Sequence, residues 1–258
     1  MELGIILLGI IQGLSEWLPI SSTGHLRLAE FFLGLDLPLI FDVFLHVGTL
    51  IVTVLFFKKD LRRILIALIK LDFKSREGML IPRIIVGSIP TAIIGFVVAR
   101  LLEDGLHEIM PLPLAFIISG LFVYFSKMGK CMKDQVDYKS AIIIGIAQGL
   151  STIPGLSRSG LTIATALMLG IKREEAFRFS FILSIPAIVG ALILTLLTQF
   201  DALVAVEAGL LDLSVGALTA TLVGYASLKF LRRFLHKFHI FSFYSISLGL
   251  LLTLMAFH

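Results

Sequence analysis

An all-α polytopic membrane protein, with six transmembrane helices and two re-entrant helix hairpins arranged as an inverted-topology repeat, is the fold class this sequence predicts. Three observations predict it. The 258 residues are 57% hydrophobic and only 16% charged, with a mean hydropathy of +1.00. A soluble domain carries about 25% charged residues on its surface, so lipid must solvate much of this exterior. Second, several apolar runs approach the roughly 20 residues that a helix needs to cross ~30 Å of hydrocarbon. Third, two related polar motifs interrupt apolar sequence at corresponding places in the two halves of the chain.

The expected crossings are 39–57, 82–102, 109–125, 177–200, 213–230 and 240–257, the third being the shortest. Between the first two lies a basic segment, 58–83, with Lys58, Lys59, Arg62, Arg63, Lys70, Lys74, Arg76 and Arg83; 127–139 and 229–239 are basic too. Glu103, Asp104 and Glu108 follow the second crossing, and Asp201, Glu207 and Asp212 the fourth. Basic and acidic connections alternate, which places the basic ones in the cytoplasm and the acidic ones outside. Residues 61–71 have apolar side chains at helical spacing, suited to lying along the membrane surface. The net charge of +4 (22 basic minus 18 acidic) is an orientation signal of this kind, and no nucleic-acid partner is expected. The lone Cys131 excludes a disulfide framework. Nothing after Leu14 resembles a signal-peptide cleavage site.

The repeat sets the topology. Residues 9–24 read GIIQGLSEWLPISSTG and residues 145–160 read GIAQGLSTIPGLSRSG. At an offset of 136 (145 minus 9) they share Gly9/Gly145, Ile10/Ile146, Gln12/Gln148, Gly13/Gly149, Leu14/Leu150, Ser15/Ser151, Ser21/Ser157 and Gly24/Gly160, eight of sixteen positions. Common hydrophobicity does not select shared glutamine, serine and glycine. Each motif has about ten apolar residues, a Pro/Gly/Ser interruption and a further apolar run, the pattern of a re-entrant hairpin whose freed backbone groups face protein or a polar cavity. One hairpin and three crossings per half, approximately 1–138 and 139–258 of a single membrane domain, make the second half inverted, since three is odd. Such repeats hold their polar site near the midplane, between the halves.

The first motif offers Gln12, Glu16, Ser21, Ser22, Thr23 and His25; the second offers Gln148, Ser157, Arg158, Ser159, Gly160 and Thr162. An ionisable residue at membrane depth costs several kcal/mol on conservative scales and is a functional candidate by default, which singles out Glu16 and Arg158. Arg158 can neutralise Glu16 and still present its planar fork to an anion. Hydroxyls from Ser157, Ser159 and Thr162, with backbone N–H groups exposed by Gly155 and Gly160, suit phosphate. Two nucleophiles remain open: Ser22, or Ser21, with a proton passed to His25 or Glu16, and His25 itself. Glu16 is also the candidate ligand for a divalent cation, Mg2+ or Ca2+, that bridges phosphate oxygens. Against these stand structural readings: glycine and serine for close helix packing, Glu16–Arg158 as a buried pair, and Trp17 as a packing residue. His46, His107, His236 and His239 are read as structural. No P-loop, HExxH or dinucleotide fingerprint is present.

At 16–25 (EWLPISSTGH) and 154–162 (PGLSRSGLT) the chain closely resembles the undecaprenyl-diphosphatase family of the bacitracin-resistance type, over essentially its whole length. The resemblance implies hydrolysis of a C55 polyprenyl diphosphate to the monophosphate and inorganic phosphate. That reaction recycles the lipid carrier for peptidoglycan and other cell-wall glycans and confers bacitracin resistance. It also implies a multi-pass protein of the plasma (inner) membrane with its active site opening to the extracytoplasmic side. The expected partners are the polyprenyl diphosphate and the membrane, with assembly into a homo-oligomer left open. One departure stands out: many members carry glutamate where this chain has Gln12. The rival reading is a secondary transporter or lipid flippase, because inverted repeats with broken helices are typical of transporters.

Overall fold

The computed structural model describes residues 2–35, 39–103, 112–198 and 210–256, and these are helical throughout, apart from connections and one backbone bridge between Lys133 and Ile171. In chain order the α-helices are α1 (Glu2–Ser15), α2 (Ser22–Leu33), α3 (Leu39–Phe56), α4 (Lys58–Ile69), α5 (Leu80–Glu103), α6 (Leu112–Phe125), α7 (Tyr138–Leu150), α8 (Arg158–Met168), α9 (Arg173–Thr198), α10 (Leu210–Phe234) and α11 (Phe241–Ala256). The acidic connections expected outside, 103–108 and 201–212, fall largely outside the described residues, as do residues 109–111, 199–200 and 257 of the expected crossings.

Both motifs fold as helix, break, helix. α1 and α7, of 14 and 13 residues, end where proline and glycine enter the sequence, and α2 and α8, of 12 and 11 residues, turn back against them. Serine starts each returning helix. Ser21 Oγ accepts from Gly24 N at 3.3 Å and Ser157 Oγ from Gly160 N at 3.0 Å, each capping an N–H that the helix itself leaves unpaired. α7 is itself capped by Asp137, whose carboxylate accepts from Ser140 N at 2.7 Å and from Lys133 Nζ at 3.0 Å. The Ser140 N–H is the main reason the Asp137 carboxyl is held down at about 2.

The glycines of the repeat explain how the halves meet. α1 packs along α10 and α7 along α5, so each half lends its broken helix to a long helix of the other. A Cβ on Gly13 would lie 2.9 Å from Ala220 O and from Gly224 N, and one on Gly149 would lie 2.7 Å from Ile94 Cβ. A Cβ on Gly9 would lie 2.8 Å from Gly216 O, and one on Gly145 would lie 2.1 Å from Gly87 O. Gly9/Gly13 and Gly145/Gly149 are thus small-xxx-small faces, which bring helix backbones together where lipid supplies no hydrophobic drive. α6 against α11 and α3 against α9 complete the joint.

Among the described residues, three stretches qualify as membrane spans by length and composition: Leu80–Leu101, Arg173–Thr198, and Leu211–Met255, which runs through α10, a 3-10 turn and α11. α3 qualifies only together with α4, and the two are bent by 77°. Where the third and sixth crossings were expected stand helices of 14 and 16 residues, short of the roughly 20 that a straight crossing takes. At the junction of α3 and α4 an aromatic cluster fills the interior: Phe177 and Phe181 are 4.9 Å apart, Phe57 stacks on Phe181 and meets Phe177 at a tilt, and Trp17 lies 5.4 Å from Phe181. Beyond it, ion pairs tie the ends of helices together: Arg178 to Asp60 at 2.8 Å, Arg76 to Glu175 at 3.3 Å and Lys172 to Asp134 at 2.6 Å.

Candidate active site

Glu16 lies in the turn after α1, 6% exposed, where several elements converge on its carboxylate. Arg158, the first residue of α8, donates from Nη2 to Oε1. Ser22, the first residue of α2, donates from Oγ to Oε2 at 2.5 Å. Gln12 Nε2 reaches the same Oε2 at 3.2 Å from one turn earlier on α1. His46 Nε2, from α3, lies 3.5 Å from it. The amide explains why glutamine serves at position 12: it can donate to Glu16, which an ionised glutamate cannot.

A cavity of about 350 Å³ opens on this cluster. Its polar part includes Glu16, Ser22, Thr23, Arg158, Gln148 and His46. Its apolar part runs along one face of α9 through Ala187, Ile188, Ala191 and Leu192. Arg158 Nη1 is buried and has no hydrogen-bond partner among the described residues. An unpaired buried guanidinium nitrogen is costly unless something anionic reaches it. Ser22 and Arg158 both sit at the first turn of a helix, where unpaired N–H groups and the helix dipole favour negative charge.

The remaining residues singled out in the sequence stand behind this cavity or away from it. Ser21 and Ser157 are helix caps, and Ser157 N also donates to Ser119 Oγ at 3.0 Å. Ser159 Oγ donates to Leu18 O at 3.2 Å, which joins the two motifs. Thr162 donates to Arg158 O at 2.7 Å and contacts Ser180 Oγ, while Gly160 packs on Ser157. Gln148 does line the cavity, and its Nε2 lies 3.3 Å from Leu183 O and 3.4 Å from Thr91 Oγ1. Trp17 is fully buried, a packing residue seated against Gly224.

His25 is not brought to the cavity. Its Nδ1–H donates to Ser21 O at 2.6 Å, its Nε2 accepts from Tyr244 O–H at 2.7 Å, and its ring sits between Phe116 and Tyr244. Both nitrogens are committed to these partners, and neither has a contact with Ser22. Of the two proton acceptors left open for Ser22 in the sequence, the structure brings Glu16 and not His25 to it. Both lie on the first turn of α2, but Ser22 points back across the break to Glu16 while His25 points to α6 and α11. In its place the structure brings His46, which the sequence reading set aside as a lone histidine on an apolar span. Asp42, one turn earlier on α3, also lines the cavity, with Oδ1 buried and unpaired. The signal for both was an ionisable pair four residues apart within an apolar run.

Among the described residues no three His, Cys, Asp or Glu side chains stand together so as to hold a metal ion.

Comparison with known sequences decides the family. A family model described as bacitracin resistance protein BacA matches residues 5–251. The chain belongs to this family. Among its relatives, an undecaprenyl-diphosphatase of Treponema denticola is 41% identical, over 96% of this chain and 95% of the relative. Undecaprenyl-diphosphatase 3 of Bacillus cereus is 39% identical, over 97% and 96%. The undecaprenyl-diphosphatase of the archaeon Methanosphaera stadtmanae is 35% identical over 98% of both chains. The similarity therefore spans both motifs and every helix between them.

Proposed function

We propose that this protein is an undecaprenyl-diphosphatase, which hydrolyses a C55 polyprenyl diphosphate to the monophosphate and inorganic phosphate and so recycles a cell-wall lipid carrier. The observation that carries the proposal is Arg158: it lines a cavity with both polar and apolar walls, its Nη2 is held by Glu16, and its Nη1 is buried with no partner among the described residues. A diphosphate fits the polar end, and the first isoprene units fit the face of α9 formed by Ala187, Ile188, Ala191 and Leu192.

In this reading Ser22 is the nucleophile. Its Oγ passes its proton to Glu16 as it bonds to the terminal phosphorus. The bond from that phosphorus to the bridging oxygen breaks, and the lipid monophosphate leaves. Water then cleaves the Ser22 phosphoester, releasing inorganic phosphate and restoring the hydroxyl. Arg158 Nη1 and the first-turn N–H groups of α2 and α8 meet the charge that develops on the phosphoryl oxygens. Thr23 and Gln148 line the pocket as substrate-binding groups, with Gln12, Ser21, Ser157, Ser159, Gly160 and Thr162 holding the frame. A divalent cation, Mg2+ or Ca2+, belongs to the proposal as the counter-ion of the diphosphate, with Glu16 as its protein ligand; it would offset phosphoryl charge.

The proposed topology is six crossings with two re-entrant hairpins in inverted halves, in the plasma membrane, with the cavity open to the extracytoplasmic side. It is supported by helices of 11 to 14 residues in both motifs, too short to cross singly, and by the exchange of packing partners between α1–α10 and α7–α5. The cavity reaches Thr195, near the end of α9 that precedes the acidic connection. The aromatic cluster and the ion pairs of Asp60, Arg76 and Glu175 do not line the cavity and lie among the basic connections. Purified protein in detergent should release phosphate from undecaprenyl diphosphate, and its absence with intact substrate and folded protein would remove the proposal.

A further inference from the structure

A groove of about 500 Å³ opens at the basic end of α10 and shares no lining residue with the cavity on Glu16. It is lined by Phe56 of α3, Glu174 of α9 and Tyr225, Lys229, Arg232 and Arg233 of α10. The three cations are spaced i, i+3 and i+4, which puts them on one face of the helix. Aromatic rings hold two of them in place: Lys229 Nζ is 4.4 Å from the centre of the Tyr225 ring, and the Arg232 guanidinium is 5.7 Å from that of Phe56. Among the described residues only Glu174 brings negative charge to the lining, 3.9 Å from Arg232, and Lys229 and Arg233 meet no carboxylate. The groove therefore keeps an excess of two positive charges (three minus one). An adjoining cavity of about 270 Å³ supplies the contrast: its cations Arg76, Lys172 and Arg178 are each paired, with Glu175, Asp134 and Asp60.

The same face of α10 continues as an apolar stripe. Leu218, Leu222 and Tyr225 precede Lys229 by 11, 7 and 4 residues (229 minus 218, 222 and 225), the recurrence that keeps side chains in line along a helix. Leu218 and Leu222 are 60% and 67% exposed. From Leu218 to Lys229 the helix rises ~16 Å, about half of a ~30 Å hydrocarbon core, which is the depth of one leaflet. We propose that this groove binds an anionic phospholipid, with its phosphate among Lys229, Arg232 and Arg233 and an acyl chain along Leu222 and Leu218. A soluble anion would use the cations and leave the stripe bare, and a neutral lipid would do the reverse. Tyr225 stands where the two meet, the interfacial level that tyrosine favours. In the proposed topology this is the cytoplasmic leaflet, whose anionic lipids attract basic residues at the end of a span. The inference is independent of the phosphatase reading, since none of these residues lines the cavity on Glu16.

Thermal melting of the purified, delipidated protein in detergent tests it without any turnover. Added phosphatidylglycerol should raise the melting temperature by about 3 °C or more, and phosphatidylcholine at the same concentration by less than about 1 °C. Lys229→Gln/Arg233→Gln removes two cations and should weaken phosphatidylglycerol binding about 30-fold. Most of the rise should then disappear, each rise being measured against the same variant without lipid, so that a shifted baseline does not enter. Lys130→Gln/Lys139→Gln takes the same charge from exposed positions elsewhere and should keep the rise. An equal loss in both double variants would reduce the effect to general surface charge. An equal rise with phosphatidylcholine would make it apolar solvation, and an equal rise with glycerol 3-phosphate, which carries the head without the chains, would make the groove a soluble-anion site. Each of these results overturns the inference, as does the absence of any rise with phosphatidylglycerol.

Discussion

The two motifs share a backbone plan and differ in the side chains that do chemistry. In both, glutamine sits in the last turn of the entering helix, and glycines on that helix let it pack on a long helix of the opposite half. In both, a serine caps the returning helix through the glycine three residues on. The next residue in each motif begins that helix. In the first it is Ser22 and in the second Arg158, equivalent positions at the offset of 136 (158 minus 22), and both bond to Glu16. The residue matching Glu16 is Thr152, which merely donates back to Gly149 O at 2.8 Å. The backbone strain is also distributed differently. The first motif places a non-glycine, Ser21, at positive φ, whereas the second gives that conformation to Gly155 at φ 93 and leaves Ser157 extended at φ −86. Such strain costs of order 1–3 kcal/mol and persists where surrounding structure enforces it, commonly at functional sites. The shared residues build a frame twice, and the divergent ones make it a single site with one carboxylate, one hydroxyl and one guanidinium.

The largest test of that division is Ser22→Ala. It should lower turnover on the order of 10⁴-fold or more, as loss of a nucleophile does. Adding Arg158→Lys should then cost little further, because residues serving one step are not additive. Rapid quench with labelled substrate should trap an acid-stable phosphoester at Ser22; an acid-labile adduct at His25 would return the chemistry to the histidine. Arg158→Lys alone comes next. It keeps the charge but not the fork that binds Glu16 and phosphate together, and phosphate-release assays should show a loss of ~10²–10³ in kcat.

The frame residues should behave as a matched pair. Gly13→Ala and Gly149→Ala each push a methyl into the facing helix, at 2.9 Å and 2.7 Å from its nearest atoms, and each should cost about 1–3 kcal/mol of stability. Thermal melting should fall by similar amounts in the two variants; a large difference would mean the halves do not share their packing. The smallest effect concerns Asp137, which caps α7 outside the motif. Its carboxyl is held at about 2, below the ordinary 3.8, by the Ser140 N–H. A depressed acid stabilises the fold fully above pH ~4 and loses that contribution as pH falls toward 2. Asp137→Ala should cost roughly 1 kcal/mol near neutral pH, and the difference from the parent should vanish on acid titration followed by circular dichroism.

Composition, the repeat and the charged residues at membrane depth were enough to expect a helical membrane protein and to pick out Glu16, Ser22, Thr23, Arg158 and Gln148, all of which line the cavity. Lipid rewards apolar helix and penalises buried charge whatever the chain's path, so these features are local and legible in the sequence. Distances across the bundle are not local. Whether Ser22 or His25 points inward depends on the angle at which α2 leaves the break, and that angle is fixed by Phe116 and Tyr244 on helices remote in sequence. That His46 lies beside Glu16 depends on α3 packing against the turn that holds this carboxylate. The sequence by itself determined the helical class, the paired frame and the cost of its buried charges; only the tertiary structure decided which side chains share the carboxylate, because contacts between distant segments follow from how helices pack and not from how their residues are spaced.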